Sequence, residues 1–405
     1  MGANTSIRIA FVVGSVSRAG GGVAQSARLL AQAVRAQGAE VEVLTLRDAF
    51  YEEDVGAWRP LGVRAFAAFG TLRYGFSPSL LSALLRCDAD IVHVHGVWTF
   101  QCLAVLLWAL AKRRPYVVTP HGMLEAWIRR RSPLLKLMVS ALYQDRFLRG
   151  AALLHLLTEK ERDDVAGFAP LDRVRVVPNC VEPFEPPRDP PDWLGQGFVG
   201  RDVYLFLGRI HEKKGCLELC AAWDGLCADD LVFRDRSLLV FAGWIDDLPG
   251  FAERVNALQA RHGNAVFIGP QYGEEKRRCL STASFFVLPS KSEGLPVSVL
   301  EAWSAGKPVL MSAACNLPIG FEAGAASEIG TDAQGIRHGL LAACSMTQEE
   351  RSQMGRAAES LVVQHYSGEA VAVAMMALYR ETLAPCLAAH SGRVGRDRFP
   401  SAGKV

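Results

Sequence analysis

Pro289-Ser290-Lys291-Ser292-Glu293-Gly294-Leu295-Pro296-Val297-Ser298-Val299-Leu300-Glu301-Ala302 reads as a loop between two apolar elements. Residues 285–288 ahead of it are a short β-rich run, and residues 297–305 behind it carry the apolar spacing of a helix. A strand that passes through a loop straight into a helix leaves backbone amides at the helix N-terminus, where an anion is favoured. Glu293 stands in the loop and Glu301 inside the helix, with seven residues between them. A carboxylate accepts two hydrogen bonds side by side, which suits the paired hydroxyls of a sugar or a ribose. The plainer alternative makes Glu293 a partner of the helix dipole and Glu301 a solvated helix residue. Taken alone, the stretch leaves both open.

Upstream, Leu207-Gly208-Arg209-Ile210-His211-Glu212-Lys213-Lys214-Gly215 repeats the design after another strand, residues 203–207. Gly208 lets backbone approach a ligand, and Arg209 and Lys214, five apart, can clamp a diphosphate, the first through forked contacts and the second as a point charge. A charge run is usually a solvated turn. Its place at the carboxyl end of a strand, the same edge as Glu293, argues for the clamp.

Around these segments strands alternate with helices. In the second half the expected strands are residues 203–207, 238–242, 265–268, 285–288 and 308–311, with helices over 217–227, 251–261, 274–281 and 297–305. In the first half strands are expected at 7–13, 41–46, 91–95, 116–119 and 153–157, with a helix over 23–37. Such alternation makes an α/β protein with parallel, doubly wound sheets. Between the halves, residues 178–200 hold six prolines and several glycines, so the segment 181–200 is expected to be an interdomain linker. The expected domains are therefore 1–180 and 201–366, with residues 391–405 a flexible, basic, glycine-rich tail.

Composition narrows the class. At 405 residues two cores are the natural division. A hydrophobic content of 50% with 21% charged residues belongs to a globular chain, and a net charge of +2 offers no field to recruit nucleic acid, so no nucleic-acid partner is expected. Ten cysteines are scattered without a Cys-x-x-Cys pair. Cys216, Cys220 and Cys227 suit buried core positions better than a metal site, and scattered thiols suit a cytoplasmic setting. No secretory leader is evident, and the longest uncharged run, residues 96–111, is short for a bilayer.

Together these segments resemble the retaining glycosyltransferases of family 4, which have the GT-B fold. Gly208-Arg209 with Lys214-Gly215 matches that family's diphosphate motif, and Glu293 through Glu301 its paired-glutamate motif, continued by Ala302 and Gly306-Lys307-Pro308-Val309. Phe267-Ile268-Gly269-Pro270 with Tyr272-Gly273 matches the loop beside the nucleotide base, and Val177-Pro178-Asn179 the end of the first domain. The resemblance implies two facing α/β domains, with the C-terminal helix, residues 367–385, returning to the first. It implies that Arg209 and Lys214 hold the diphosphate of a nucleotide sugar, Glu301 the ribose, and Glu293 the transferred sugar. The amides of Gly294, Leu295 and Val297 would meet the distal phosphate. Pro296 has no N–H, so one donor is missing, and Cys180 stands where many relatives have glycine.

In the first half, Gly20-Gly21-Gly22-Val23 follows the first strand but lacks Gly-x-Gly-x-x-Gly spacing. The resemblance places Gly21 and Gly22 facing the donor diphosphate and the acceptor. Pro120-His121-Gly122-Met123 follows another strand, and His121 matches the family's active-site histidine. The expected catalytic set is His121, Glu293, Arg209 and Lys214. Asp88-Ala89-Asp90 looks like a metal-binding Asp-x-Asp but precedes its strand, and is expected to be a solvated turn. The family generally works without a metal, so no cofactor is expected beyond the donor itself.

The implied reaction is hexosyl transfer to a glycan or a polyprenyl- or other lipid-linked acceptor in polysaccharide or lipopolysaccharide assembly. The alternatives are a nucleotide-sugar epimerase of the same fold and a non-catalytic nucleotide-sugar-binding subunit. Residues 127–139 place Arg129, Arg130 and Arg131 before an apolar helix start, and Lys112-Arg113-Arg114 adds a second basic cluster. Either they hold the protein peripherally on an anionic membrane surface, or residues 134–142 pack inward and the arginines are solvated.

Overall fold

The computed structural model describes residues 6–71, 74–125, 133–195 and 197–394. Residues up to Cys180 and from Gly368 onward form one compact unit, and Val181–Ser367 the other.

Unit 1 is built on seven parallel strands, β1 (Arg8–Val13), β2 (Glu40–Leu46), β3 (Gly62–Phe66), β4 (Ile91–His95), β5 (Tyr116–Thr119), β6 (Leu153–Leu156) and β7 (Val174–Val176), in the order β3-β2-β1-β4-β5-β6-β7. Unit 2 holds six, β8 (Asp202–Leu207), β9 (Ser237–Ala242), β10 (Ala265–Phe267), β11 (Phe285–Leu288), β12 (Val309–Met311) and β13 (Ala326–Glu328), ordered β10-β9-β8-β11-β12-β13. Both orders reverse direction once, between β1 and β4 and between β8 and β11. In doubly wound sheets ligands bind at the carboxyl ends of the strands flanking that reversal.

The central strands are near-continuous apolar runs because helices cover both faces. Phe11, Val12, Leu205, Phe206, Val240 and Phe286 are fully buried. The C-terminal helix Gly368–Val394 belongs to unit 1, where Val371, Ala372, Met375, Met376, Tyr379 and Leu383 recur at helical spacing and join the core of Ile9, Phe11 and Val43. Cys87, Cys102, Cys180, Cys216, Cys220, Cys227, Cys279, Cys315 and Cys344 carry free thiols, and Cys216, Cys220 and Cys227 are buried beside Trp223 and Leu226.

Four expectations change. The described residues of 181–200 form no helix or strand, yet they are part of unit 2: Phe184, Trp193 and Phe198 pack on its core, and Trp193 Nε1 donates to Cys279 Sγ. The last helix runs on to Val394, so residues 391–394 are helical; residues 395–405 lie outside the described residues. Of the expected solvated turn only Asp88 is exposed, while Asp90 is part-buried and both are held in ion pairs. Arg8 reaches both carboxylates, with Arg8 Nη2 2.8 Å from Asp90 Oδ1, and its backbone N–H donates to Asp90 Oδ2 at 3.0 Å. Arg114 completes the cluster at 3.2 Å from Asp88, so the second basic cluster is partly engaged in it. The pair thus ties the amino ends of β1 and β4 together.

Burial works to raise the Asp90 carboxyl, but the hydrogen bonds from Arg8 outweigh it and hold the group below the usual carboxylate value. A depressed folded-state value contributes stability above the unfolded pKa and loses it as pH falls through the folded one. Asp90→Asn is expected to destabilise by about 1 kcal/mol at neutral pH, the net worth of a part-exposed charged hydrogen bond. Calorimetric melts should show the gap between wild type and variant closing below about pH 4.

Candidate active site

In unit 2 the loops after β8 and β11, which flank the reversal, are pressed together. Gly215 has φ +72°, and a Cβ there would lie 2.2 Å from the Pro289 carbonyl oxygen, so glycine is required twice over. Lys291 N–H donates to Lys213 O at 2.7 Å across the same contact. Next door, a Cβ on Gly243 would lie 1.7 Å from Gly208 O, which extends the β8–β9 ladder beyond both strands; Ile210 N–H then donates to Trp244 O and Asp246 N–H to Ile210 O, each at 2.9 Å.

This close approach sets the charges. Lys214 Nζ and Glu293 Oε1 are 2.6 Å apart, both largely buried, at 14% and 11% side-chain exposure. Ser290 Oγ donates to the same Glu293 oxygen at 2.6 Å, while Asn316 Nδ2 donates to the Glu293 carbonyl and Glu293 N–H to Ala314 O at 3.1 Å. Lys214 N–H donates to His211 O at 2.9 Å, so both Glu293 and Lys214 are held by their backbones as well as by each other. Arg209, half exposed, pairs with Asp246 at 2.8 Å. Lys276 Nζ sits 2.6 Å from Glu301 Oε1, and Glu301 is only 12% exposed, which excludes the solvated-helix alternative. Asp246, Lys276, Ser290 and Asn316 were not singled out from the sequence. Lys276 was the findable one, on the face of an expected helix one turn after Tyr272.

Helix Val297–Ser304 starts after Pro296, and Val299 N–H donates to Pro296 O at 3.0 Å. Among the described residues the amides of Gly294, Leu295, Val297 and Ser298 have no acceptor. Four N–H groups thus sit at a helix N-terminus, within the loop that carries Glu293. Tyr272, 64% exposed, caps the helix Gly273–Thr282 after β10. Arg209, Lys214, Tyr272, Glu293 and the amides share one edge of one sheet.

In unit 1 the loop after β1 carries Gly21, which opens the helix Gly21–Ala36 at φ +54°, and Gly22 inside its first turn. Ser15 and Ser17 donate to Asp48 at 2.5 and 2.8 Å and brace that loop. The loop after β5 is a tight turn. Met123 N–H donates to Pro120 O at 3.1 Å, and His121 and Gly122 have φ +53° and +72°. A histidine in the left-handed region is strained by about 1–3 kcal/mol, and such strain gathers at functional sites. Its ring Nε2 lies 2.9 Å from His95 Nδ1. Burial pushes the His121 imidazole down to about 3, so it is neutral.

Among the described residues no group of three or more His, Cys, Asp or Glu is placed to hold a metal ion, and no helix is long and apolar enough to cross a membrane. Trp127, Arg129, Arg130 and Arg131 lie outside the described residues. The helix that follows buries Val139, Tyr143 and Phe147 but exposes Leu137, Met138 and Leu142 at 67%, 60% and 75%. The alternative in which residues 134–142 pack inward thus holds for Val139 but not for Leu137, Met138 and Leu142.

Two family models match the chain, Glycosyltransferase Family 4 over residues 20–183 and Glycosyl transferases group 1 over residues 196–360. The sulfoquinovosyl transferase SQD2 of Arabidopsis thaliana is 30% identical over 301 residues, 70% of this chain and 55% of the plant protein. The matched stretch thus spans little more than half of that relative's length. A GDP-mannose:cellobiosyl-diphosphopolyprenol alpha-mannosyltransferase of Xanthomonas oryzae pv. oryzae is 28% identical over 67% of this chain and 69% of its own. Among solved structures, Anabaena HepE in complex with UDP and glucose superposes over 93% of this chain and all of its own with TM-score 0.70 at 16% identity. WaaG, a glycosyltransferase involved in lipopolysaccharide biosynthesis, covers 90% of this chain and 98% of its own with TM-score 0.63 at 17% identity.

Gly215→Ala and Gly263→Ala separate backbone strain from the loop contact, because Gly263 has nearly the same φ, +71°, with nothing within 4 Å of its Cβ position. In denaturant unfolding of unit 2, Gly263→Ala should lose about 1 kcal/mol, and Gly215→Ala about 3 kcal/mol, the overpacking added to the strain.

Proposed function

We propose, since the chain belongs to glycosyltransferase family 4 and has its GT-B fold, that it transfers a hexosyl group from a nucleoside-diphosphate sugar to a glycan or lipid-linked acceptor, with retention at the anomeric carbon. The observation that carries the reading is the Lys214–Glu293 pair beside the unpaired amides of helix Val297–Ser304, at the reversal between β8 and β11.

The chemistry divides among the residues. The bond between the anomeric carbon and the diphosphate oxygen breaks, and negative charge develops on that oxygen. Arg209, Lys214 and the amides of Leu295 and Val297 stabilise it as it leaves. The acceptor hydroxyl oxygen bonds to the anomeric carbon on the same face, and its proton passes to the departing phosphate oxygen. Glu301, steadied by Lys276, takes the ribose hydroxyls, Tyr272 the base, and Glu293 the transferred sugar. His121, Gly21 and Gly22 take part from unit 1. No step calls for a metal ion, because cationic side chains and helix amides neutralise the leaving group. A place in polysaccharide or lipopolysaccharide assembly accords with relatives whose names specify a diphosphopolyprenol substrate and lipopolysaccharide biosynthesis.

Arg209→Ala and Lys214→Ala are each expected to cut turnover by roughly two to three orders of magnitude in folded protein, as when one charge-stabilising group is removed. Glu301→Gln should weaken nucleoside diphosphate binding in titration calorimetry, while Glu293→Gln should slow transfer and leave that binding nearly unchanged. Unaltered turnover in both cation variants, or donor hydrolysis without transfer to any acceptor, would sink the reading.

The lipid-linked acceptor has its own support. Leu137, Met138, Ala141 and Leu142 form an exposed apolar face that continues into exposed Arg146 and Arg149. Apolar residues beside cations fit the interface of an anionic bilayer, at about 1 kcal/mol per basic residue. The protein should sediment with anionic but not neutral vesicles at low salt, and Leu137→Ser with Leu142→Ser should abolish that without changing transfer to a water-soluble acceptor.

A further inference from the structure

The core of unit 1 contains three histidines where apolar residues would be expected, and a fourth, part-exposed, stands against one of them. His93 and His95 lie side by side on β4, with ring centroids 4.4 Å apart; His155 is on β6, and His121 is in the turn after β5. Burial holds all four imidazoles below their ordinary value, so each carries one N–H and one lone pair. That count allows the protons to be placed.

The first branch is fixed by one carbonyl. Val177 O can only accept, so His155 Nε2, 2.8 Å away, bears a proton. His155 Nδ1 must then accept from Thr119 Oγ1 at 2.8 Å. With its single proton committed, Thr119 accepts from His93 Nε2–H at 2.7 Å, and His93 Nδ1 accepts from Tyr379 Oη at 2.7 Å. Every group in this branch is satisfied.

The second branch is shorter. His95 Nδ1 and His121 Nε2 share one hydrogen bond of 2.9 Å. If His121 donated it, His95 would carry its proton on Nε2, a buried atom without a hydrogen-bond partner among the described residues. Buried N–H groups without acceptors are rarer than buried acceptors without donors. The opposite arrangement leaves only a bare lone pair there, and it puts the His121 proton on Nδ1. That nitrogen has no partner among the described residues, and it belongs to a part-exposed side chain, whereas His95 is buried.

We infer that His95 is a positioning residue that holds His121 in its Nδ1–H tautomer, so that the histidine of the turn offers a hydrogen bond to a ligand oxygen and does not serve as a base. His95 suits this task because its own ring is fixed, stacked on Phe11 at 5.4 Å and 16° and packed against His93. Its second nitrogen has no alternative acceptor to draw the proton away. The ligand group implied is an oxygen acceptor such as a sugar hydroxyl. The inference rests on the reading of His121 as a residue of the reaction.

Long-range proton–nitrogen correlation spectra of the full chain with nitrogen-15 histidine, assigned with His95→Asn and His121→Ala, read the tautomers without any ligand. The expected result is a proton on Nδ1 of both His95 and His121. A proton on His121 Nε2 overturns the inference and leaves the proposed transferase function standing. In kinetics, His95→Asn keeps an N–H near the Nδ1 position and should retain turnover within about threefold, whereas His95→Asp offers only acceptors, draws the His121 proton to Nε2 and should lower kcat roughly a hundredfold with little change in KM. Equal turnover in folded His95→Asn and His95→Asp overturns the positioning role. Full turnover in His121→Ala removes the reading of His121, and the inference with it.

Discussion

The contact of Gly215 on the Pro289 carbonyl is the constraint on which the site of unit 2 depends. A doubly wound sheet opens a crevice where the strand order reverses, and here that crevice lies between β8 and β11. With any other residue at 215 the two loops would stand apart, because a Cβ would sit 2.2 Å from a backbone oxygen. Because they touch, Lys214 meets Glu293, Ser290 meets both Lys213 and Glu293, and the first amides of the following helix point out of a loop that cannot drift. One backbone approach thus determines several side-chain positions, which is why the lysine and the glycine occur as neighbours in sequence.

Unit 1 meets a different demand. Its central strands bring histidines into a core that would gain more from valine, and each buried imidazole must find partners or leave polar atoms unpaired. Three elements distant in sequence meet that demand: Thr119 from β5, the Val177 carbonyl after β7, and Tyr379 from the C-terminal helix. The helix Gly368–Val394 is therefore more than an apolar cover for the helix Gly21–Ala36, since it also donates the hydrogen bond that completes the first branch. A polar network of this kind specifies one arrangement, because any other register would leave several buried groups unsatisfied.

What was legible in the sequence follows from where the information is local. Strands β4, β5 and β11 are apolar, bounded by turn residues, and were read with their observed limits. Strands β3, β7 and β13 were not. The first is a half-exposed edge strand containing glycine and arginine, and the other two are three residues long, set by pairing with a neighbour and not by their own pattern. The motif residues around Glu293 were legible because a loop that binds anions must combine glycine, amides and charge within a few positions. Their partners were not. Asp246 and Asn316 come from other loops and are joined to Arg209 and Glu293 only by the sheet order, and Arg8 meets Asp90 across 82 positions. The His95–His121 contact was hidden for the same reason, although the spacing of His93 and His95 on a strand already implied two histidines side by side on one face.

The charges along the unit 2 edge have a consequence for catalysis by the proposed route. Arg209 pairs with Asp246, Lys214 with Glu293, Lys276 with Glu301 and Lys291 with Glu218, so each of these cations already has a carboxylate. An incoming diphosphate does not find bare positive charge; it competes with Asp246 and Glu293 for the same donors, and its ground-state binding is weakened accordingly. The amides of the helix Val297–Ser304 face no such competitor. A leaving group that gains charge in the transition state can draw Arg209 and Lys214 more strongly than the substrate does, and only interactions that strengthen on the way to the transition state raise the rate. The ion pairs also hold long, flexible side chains near their working positions before the donor arrives, so little rearrangement is required at the moment of reaction. Pairing each cation with a carboxylate thus trades donor affinity for preorganisation.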